Sequence, residues 1–161
     1  MIYSEINGDL IKSALNGEFD VIAHGCNCQS AMGAGIAVRM ASVFGCNKFR
    51  MEKLGPSIMK LGNIDYRTFS ASDLGGYFPI KGNLSVVNAY TQFNYGNLNG
   101  PPIDYEALSL CMRKINSEFS NQHIGLPMIG AGLAGGDWTK IKNIIKYELK
   151  DCRITIVFYK K

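Results

Sequence analysis

Short runs rich in β-branched and aromatic residues alternate with stretches whose apolar residues recur every three or four positions, and this alternation constrains the fold most. Met1 to Ile6, Val21 to His24, Ile64 to Thr68, Ser85 to Tyr90, Ile124 to Met128 and Ile154 to Tyr159 read as strands. Several are nearly continuous in apolar residues, as strands covered on both faces are. Between them, Ile36, Met40, Val43 and Phe44 share one helical face. So do Tyr105, Leu108, Met112, Ile115 and Phe119, and then Ile141, Ile144, Ile145 and Leu149. Asp104 and Asp137 stand where the caps of the last two helices belong. Strands alternating with helices predict a three-layer α/β/α domain around a mixed, mostly parallel sheet. Such sheets bind ligands in the crevice beyond the carboxyl ends of their strands, so chemistry is expected in loops that follow strands.

The length of 161 residues suits one domain, which at this size buries roughly 70% of the surface its unfolded chain exposes. With 47% apolar and 19% charged residues the composition is that of an ordinary folded protein rather than a disordered tail or membrane span. The start of the chain carries no basic segment followed by an apolar stretch, which predicts a cytoplasmic protein without a membrane association. Cys26, Cys28, Cys46, Cys111 and Cys152 are odd in number and scattered, so free thiols are expected. Cys26 and Cys28 lack a second pair, and His24 and His123 are not at zinc-ligand spacing, so neither a metal nor a cofactor is expected. Lys140, Lys142, Lys146, Lys150, Arg153, Lys160 and Lys161 face only Glu148 and Asp151 over the last 22 residues, which leaves the rest of a chain of net charge +4 at −1, a pattern that reads as a solvated helix face.

Two loops look chemical. The first runs from His24 through Gly25, Cys26, Asn27, Cys28, Gln29, Ser30, Ala31, Met32, Gly33, Ala34 and Gly35 into Ile36 and Ala37, from a strand into a helix. The second runs from Pro127 through Gly130, Ala131, Gly132, Leu133, Ala134, Gly135 and Gly136 to Asp137 and Trp138, again from strand to helix. Glycines let a backbone approach a ligand closely, and amides at a helix start receive an anion. Two such cradles on one sheet can grip both phosphates of a diphosphate. Gly130 to Gly135 also satisfies the bare G-x-G-x-x-G pattern, but too little chain follows it for a dinucleotide half-domain, and its acidic partner would precede a strand. Neither loop has the Lys and Ser/Thr of a P-loop, and no serine stands in a nucleophile elbow.

Asn7-Gly8-Asp9-Leu10, the HGCNCQSAMGAGIA loop and the PMIGAGLAGGDW loop, in this order and spacing, resemble the macrodomain family of ADP-ribose-binding α/β/α modules. The resemblance spans nearly the whole chain. The first loop is similar to that of the subgroup containing yeast and phage ADP-ribose-1''-phosphate phosphatases. Carried over residue by residue, the resemblance implies that Asp9, with Leu10 beside it, meets the adenine amino group, and that Asn27 meets the distal ribose. Asp9 also suits the cap of a short helix from Leu10 to Leu15, and Asn27 a turn. The amides of Gly33, Ala34, Gly35 and Ile36 and of Gly130, Ala131, Gly132 and Leu133 would hold the diphosphate. Phe158 or Tyr159 would stack on adenine; strand alternation turns one of the pair inward, and Tyr159 is favoured for the base.

The same resemblance implies that His24 acts in proton transfer at the distal ribose, which suits a side chain titrating near neutrality. Asp137 is the second candidate, as a base or water-orienting carboxylate, and equally as a helix cap. Ala134 stands where macrodomains with a lysine nucleophile carry their catalytic aspartate, so that mechanism is disfavoured. The expected activity is release of phosphate from ADP-ribose-1''-phosphate by a monomer. Removal of ADP-ribose from an ADP-ribosylated protein or nucleic acid, and ADP-ribose binding without turnover, are the alternatives.

Overall fold

The computed structural model describes residues 2–74, 82–95, 102–132 and 135–159. Leu133, Ala134, Lys160 and Lys161, named above, and Met1 lie outside them. The six expected strands form one sheet: β1 (Ile2–Gly8), β2 (Val21–Asn27), β3 (Ile64–Phe69), β4 (Leu84–Gln92), β5 (His123–Leu126) and β6 (Arg153–Tyr159), in the order β1-β6-β5-β2-β4-β3. Five run parallel, and β3 closes one edge antiparallel to β4. β4 is buried along eight of its nine residues, which accounts for its unbroken apolar run.

Helices cover both faces. α4 (Tyr105–Glu118) and α5 (Trp138–Glu148) pack Leu108, Met112, Ile115, Ile141 and Ile145 against Val21, Ala23, Val87, Ala89, Ile154 and Ile156. On the other face α1 (Leu10–Leu15) and α2 (Ile36–Phe44) meet Ile22, Leu84, Val86 and Val157. The alternation of Val21, Ile22 and Ala23 between the two layers is the period-2 geometry of a strand. A 3-10 turn (Cys46–Lys48) and a one-turn helix, α3 (Arg50–Lys53), follow α2 and have no periodic signal in the sequence.

Each cap expected from the sequence is present. Asp9, Asp104 and Asp137 accept from amides of the first turns of α1, α4 and α5. α2 differs: Gly35, at φ 62°, precedes it and supplies no side-chain cap. All five cysteines are free and buried. Among the described residues no helix is long and apolar enough to cross a membrane.

Candidate functional site

The parallel strands deliver their carboxyl ends to one rim of the sheet, and the loops singled out by sequence sit along it in spatial order. Asp9 follows β1 and Tyr159 ends the adjacent β6. The second glycine loop follows β5, and Asn27 ends β2, which pairs with β5 and leads into the first loop.

At one end Asp9 Oδ1 accepts from the Lys12 amide at 3.1 Å, and Oδ2 pairs with Arg39 Nη2 at 2.9 Å. Burial alone would raise the Asp9 pKa; the bonds from Arg39 and Lys12 outweigh it and hold the carboxyl below its ordinary value. The Arg39 guanidinium also lies 5.8 Å from the centre of the Tyr159 ring. Tyr159 is exposed, whereas Phe158 turns to the opposite layer and meets Trp138 edge-on at 5.9 Å. Strand alternation therefore assigns Tyr159, not Phe158, to the rim. Leu10 has its side chain in the core, so only its main chain borders the rim. Arg39 has no counterpart in the sequence reading, because nothing in a helical period announces which exposed cation will face a cap two elements away.

At the other end Asn27 organises its own loop. Its Oδ1 accepts from the amides of Gln29 at 3.0 Å and Ala31 at 3.3 Å, and Nδ2 donates to the Ala31 carbonyl at 2.8 Å. One Nδ2 hydrogen remains for a ligand. Ser30, at φ 57°, donates from Oγ to the Glu52 carbonyl at 3.0 Å and accepts from Lys60 Nζ at 2.6 Å. Glu52 and Lys60 are both buried, and Tyr90 Oη donates to Glu52 Oε1 at 3.3 Å. Burial raises the Glu52 pKa, and Lys60 opposes the rise. Neither residue was singled out by sequence, since charged side chains are ordinarily exposed.

The glycines between these ends differ in what surrounds them. A Cβ built at Gly33 or Gly132 meets nothing within 4 Å. At Gly130, with φ 76°, it would fall 2.1 Å from Ile103 Cδ1, and at Gly136 2.7 Å from the Gly130 carbonyl oxygen. Gly130 and Gly136 are thus packing glycines, while Gly33 and Gly132 open onto the rim. The amides of Gly33, Ala34, Gly35 and Ile36 donate to no protein acceptor among the described residues. That of Ala131 is turned inward to the Met128 carbonyl at 3.3 Å, and Leu133 lies outside the described residues.

His24 does not reach the rim, where proton transfer at the distal ribose would require it. β2 continues through Asn27, which carries the His24 ring into the interior, fully enclosed. Nε2 is 2.7 Å from Asn88 Oδ1, and because Asn88 Nδ2 donates to the Cys46 carbonyl at 2.9 Å, Nε2 is the donor. Cys26 and Cys46 sulfurs lie 3.5 and 3.6 Å away, and Nδ1 has no partner among the described residues. Burial pushes the ring down to about 4 despite the Asn88 bond, so it is neutral at pH 7. A ring so enclosed does not touch a ligand on the rim. Asp137 is exposed and caps α5: Oδ1 takes the Thr139 amide at 3.0 Å and the Lys140 amide at 3.4 Å. Its Oδ2 accepts from none of the described residues.

No family model matches the chain. An uncharacterised 17.5 kDa protein from the tk-vs intergenic region of Enterobacteria phage T4 is 31% identical over 166 residues, covering 98% of this chain and 96% of the phage protein. This chain belongs to the family of that phage protein. A Bacteroides thetaiotaomicron protein of unknown function shares the fold at a TM-score of 0.73, with 25% identity and 98% of both chains covered. The macrodomain of Thermus aquaticus DarG superimposes at 0.66 with 17% identity over 99% of both chains. Thermosipho africanus DarTG, solved in complex with ADP-ribose, superimposes at 0.72 with 16% identity over 98% of this chain and 42% of that one. The fold is the macrodomain fold.

Among the described residues, the C-terminal cations of α5 face separate partners. Lys142 pairs with Glu5 at 3.6 Å, Lys146 lies over the Tyr3 ring at 4.4 Å and Lys140 over Tyr105 at 4.1 Å, a dispersed and solvated arrangement.

Proposed function

We propose that this macrodomain binds ADP-ribose along the rim. The observation that carries the reading is the order of features on neighbouring strands: Asp9 and Tyr159 for the base, glycine loops for the diphosphate, Asn27 for the distal ribose. The start of α2 has no side-chain cap, and its amides, which meet no acceptor among the described residues, suit a phosphate oxygen. The ADP-ribose bound to the Thermosipho neighbour supports the ligand class. A ligand selective for the folded state stabilises it by about 2.7 kcal/mol at a hundred times its Kd. ADP-ribose is therefore expected to raise the melting temperature, and AMP to raise it less. No shift with millimolar ADP-ribose overturns the reading.

A second reading, hydrolysis of ADP-ribose-1''-phosphate, is favoured by Asp137 at the mouth of the second loop, whose Oδ2 accepts from none of the described residues. In it, Asp137 takes a proton from a water whose oxygen bonds to phosphorus. The bond from phosphorus to the ribose oxygen breaks, and the proton passes to the departing hydroxyl. His24 then acts only by packing behind the first loop. Asp137→Asn caps a helix about as well as aspartate. Turnover is expected to fall at least about a hundredfold, the low end for a positioned base, while the melting temperature holds. Full turnover in Asp137→Asn removes the aspartate from the mechanism, and no turnover in the parent leaves a reader of ADP-ribose.

A further inference from the structure

A groove of about 570 Å³ lies away from the rim, between the edge strand β3 and the segment formed by the 3-10 turn and α3. Its buried floor is Phe44 and Phe49. Lys48, Arg50 and Lys53 stand on one bank and Arg67 on the other, all four exposed. Asp65, the acid among the lining residues, accepts the Met51 amide through Oδ2 at 2.7 Å. Among the described residues none of the four cations is ion-paired. Arg67 lies over the Phe69 ring at 4.7 Å, and the four cations gather their charge around one concavity, whereas Lys140, Lys142 and Lys146 are spread along α5 on separate partners.

We infer that this groove seats the sugar-phosphate backbone of a single-stranded nucleic acid. A compact anion is held by donors that converge on one point, as backbone amides at a helix start do. Here long, flexible side chains line two banks of an open trough, the electrostatic track that follows a phosphate backbone without reading its sequence. The trough is concave rather than flat, and β3, with no strand beyond it among the described residues, borders it along the sheet edge.

α3 is the wall shared with the rim. Arg50 and Lys53 face the groove, while the inward Glu52 accepts from Ser30 Oγ through its carbonyl and Met51 packs against Cys26, Cys28 and Tyr90. An α-helix is about 10 Å across with its side chains, so a strand in the groove passes roughly one helix diameter from the loop of Asn27. The docking stands on the groove alone. That such a strand carries the ADP-ribose group presented to the rim rests on the reading proposed above.

The test uses the full chain and a fluorescein-labelled 12-nucleotide single strand without ADP-ribose, followed by anisotropy over a salt series. Four contacts to a single strand predict a slope of log K against log salt of about −3. Lys48, Arg50, Lys53 and Arg67 all changed to Gln are expected to weaken binding at least tenfold at low salt and to bring the slope towards zero. Changing Lys140, Lys146, Lys150 and Arg153 to Gln removes the same charge from the α5 side and is expected to alter binding less than threefold. The groove variant is expected to bind ADP-ribose as the parent does, and Gly132→Val to keep its affinity for the strand, which separates failure here from failure of the ADP-ribose reading. Equal losses in both charge variants, no strand binding by the parent at low salt, or displacement of the strand by pyrophosphate or polyglutamate at constant ionic strength would each overturn the inference.

Discussion

The two glycine loops lie side by side on the rim, yet they rest on different foundations. Behind the first are buried polar groups: His24 against Asn88, and Ser30 held between Lys60 and the Glu52 carbonyl. Behind the second is an aliphatic wall of Ile103, Ile129 and Ile141. A polar foundation fixes a loop by directed bonds and answers to pH. An aliphatic one fixes it by volume and answers to sterics. Similar glycine-rich sequences therefore have different weaknesses.

The largest difference is expected from added volume. Gly130→Ala combines a left-handed backbone with a Cβ 2.1 Å from Ile103, and is expected to lose about 2–6 kcal/mol in urea denaturation. Gly33→Ala, with open space around the new methyl group, is expected to change stability by less than about 0.5 kcal/mol. Similar losses at the two sites would refute the distinction between packing and open glycines.

Protonation reverses the asymmetry. His24 binds a proton in the unfolded chain below its ordinary value of 6.5, but in the folded chain only below about 4. Between these values the unfolded state binds more protons, so stability is full above about pH 6.5 and is lost as pH falls to about 4. At 1.36 kcal/mol per unit the loss is about 3 kcal/mol. His123 is also pushed down by burial, so the measurement is the difference between the parent and His24→Leu. Parallel stability curves for the two proteins between pH 4 and 6.5 would mean that the ring is charged or solvated when folded.

What sequence disclosed follows the same division. Six strands, the helical periods and three aspartate caps were legible because they are local patterns of period and cap chemistry. The position of His24 was not, and the error has one cause. Gly25, Cys26 and Asn27 read as loop, which predicts a strand ending at His24; the strand runs on to Asn27 and the ring is buried. The direction of β3, the strand order and the one-turn α3 leave no periodic trace. Arg39, Glu52 and Lys60 acquire their roles only through partners far away in sequence. The rim loops could be placed without them, but not the groups that hold those loops.

Ligand binding then reads the feature both loops share. Gly132→Val adds a branched side chain where nothing lies within 4 Å, so the fold is expected to tolerate it while ADP-ribose affinity drops at least tenfold in calorimetry. Gly33→Val is expected to behave alike. Retained affinity in a folded variant puts the diphosphate elsewhere.

The smallest effect tests why the first loop carries strain on a serine. A left-handed conformation costs a non-glycine residue about 1–2 kcal/mol, and Ser30 adopts one at φ 57°. The cost is offset by its hydroxyl, which satisfies both the Glu52 carbonyl and the buried Lys60 ammonium. Ser30→Ala loses both bonds and keeps the strain. Ser30→Gly loses both bonds and relieves it. Both variants are expected to be less stable than the parent, because each leaves the Lys60 ammonium without its bond to the serine hydroxyl. The glycine variant should be the better of the two by about 1 kcal/mol, even though glycine has the more flexible unfolded chain. An alanine variant equal to glycine would show that the loop rotates Ser30 out of the left-handed region once its hydroxyl is gone. The hydroxyl bonds, rather than the loop's closure, would then be what holds that backbone.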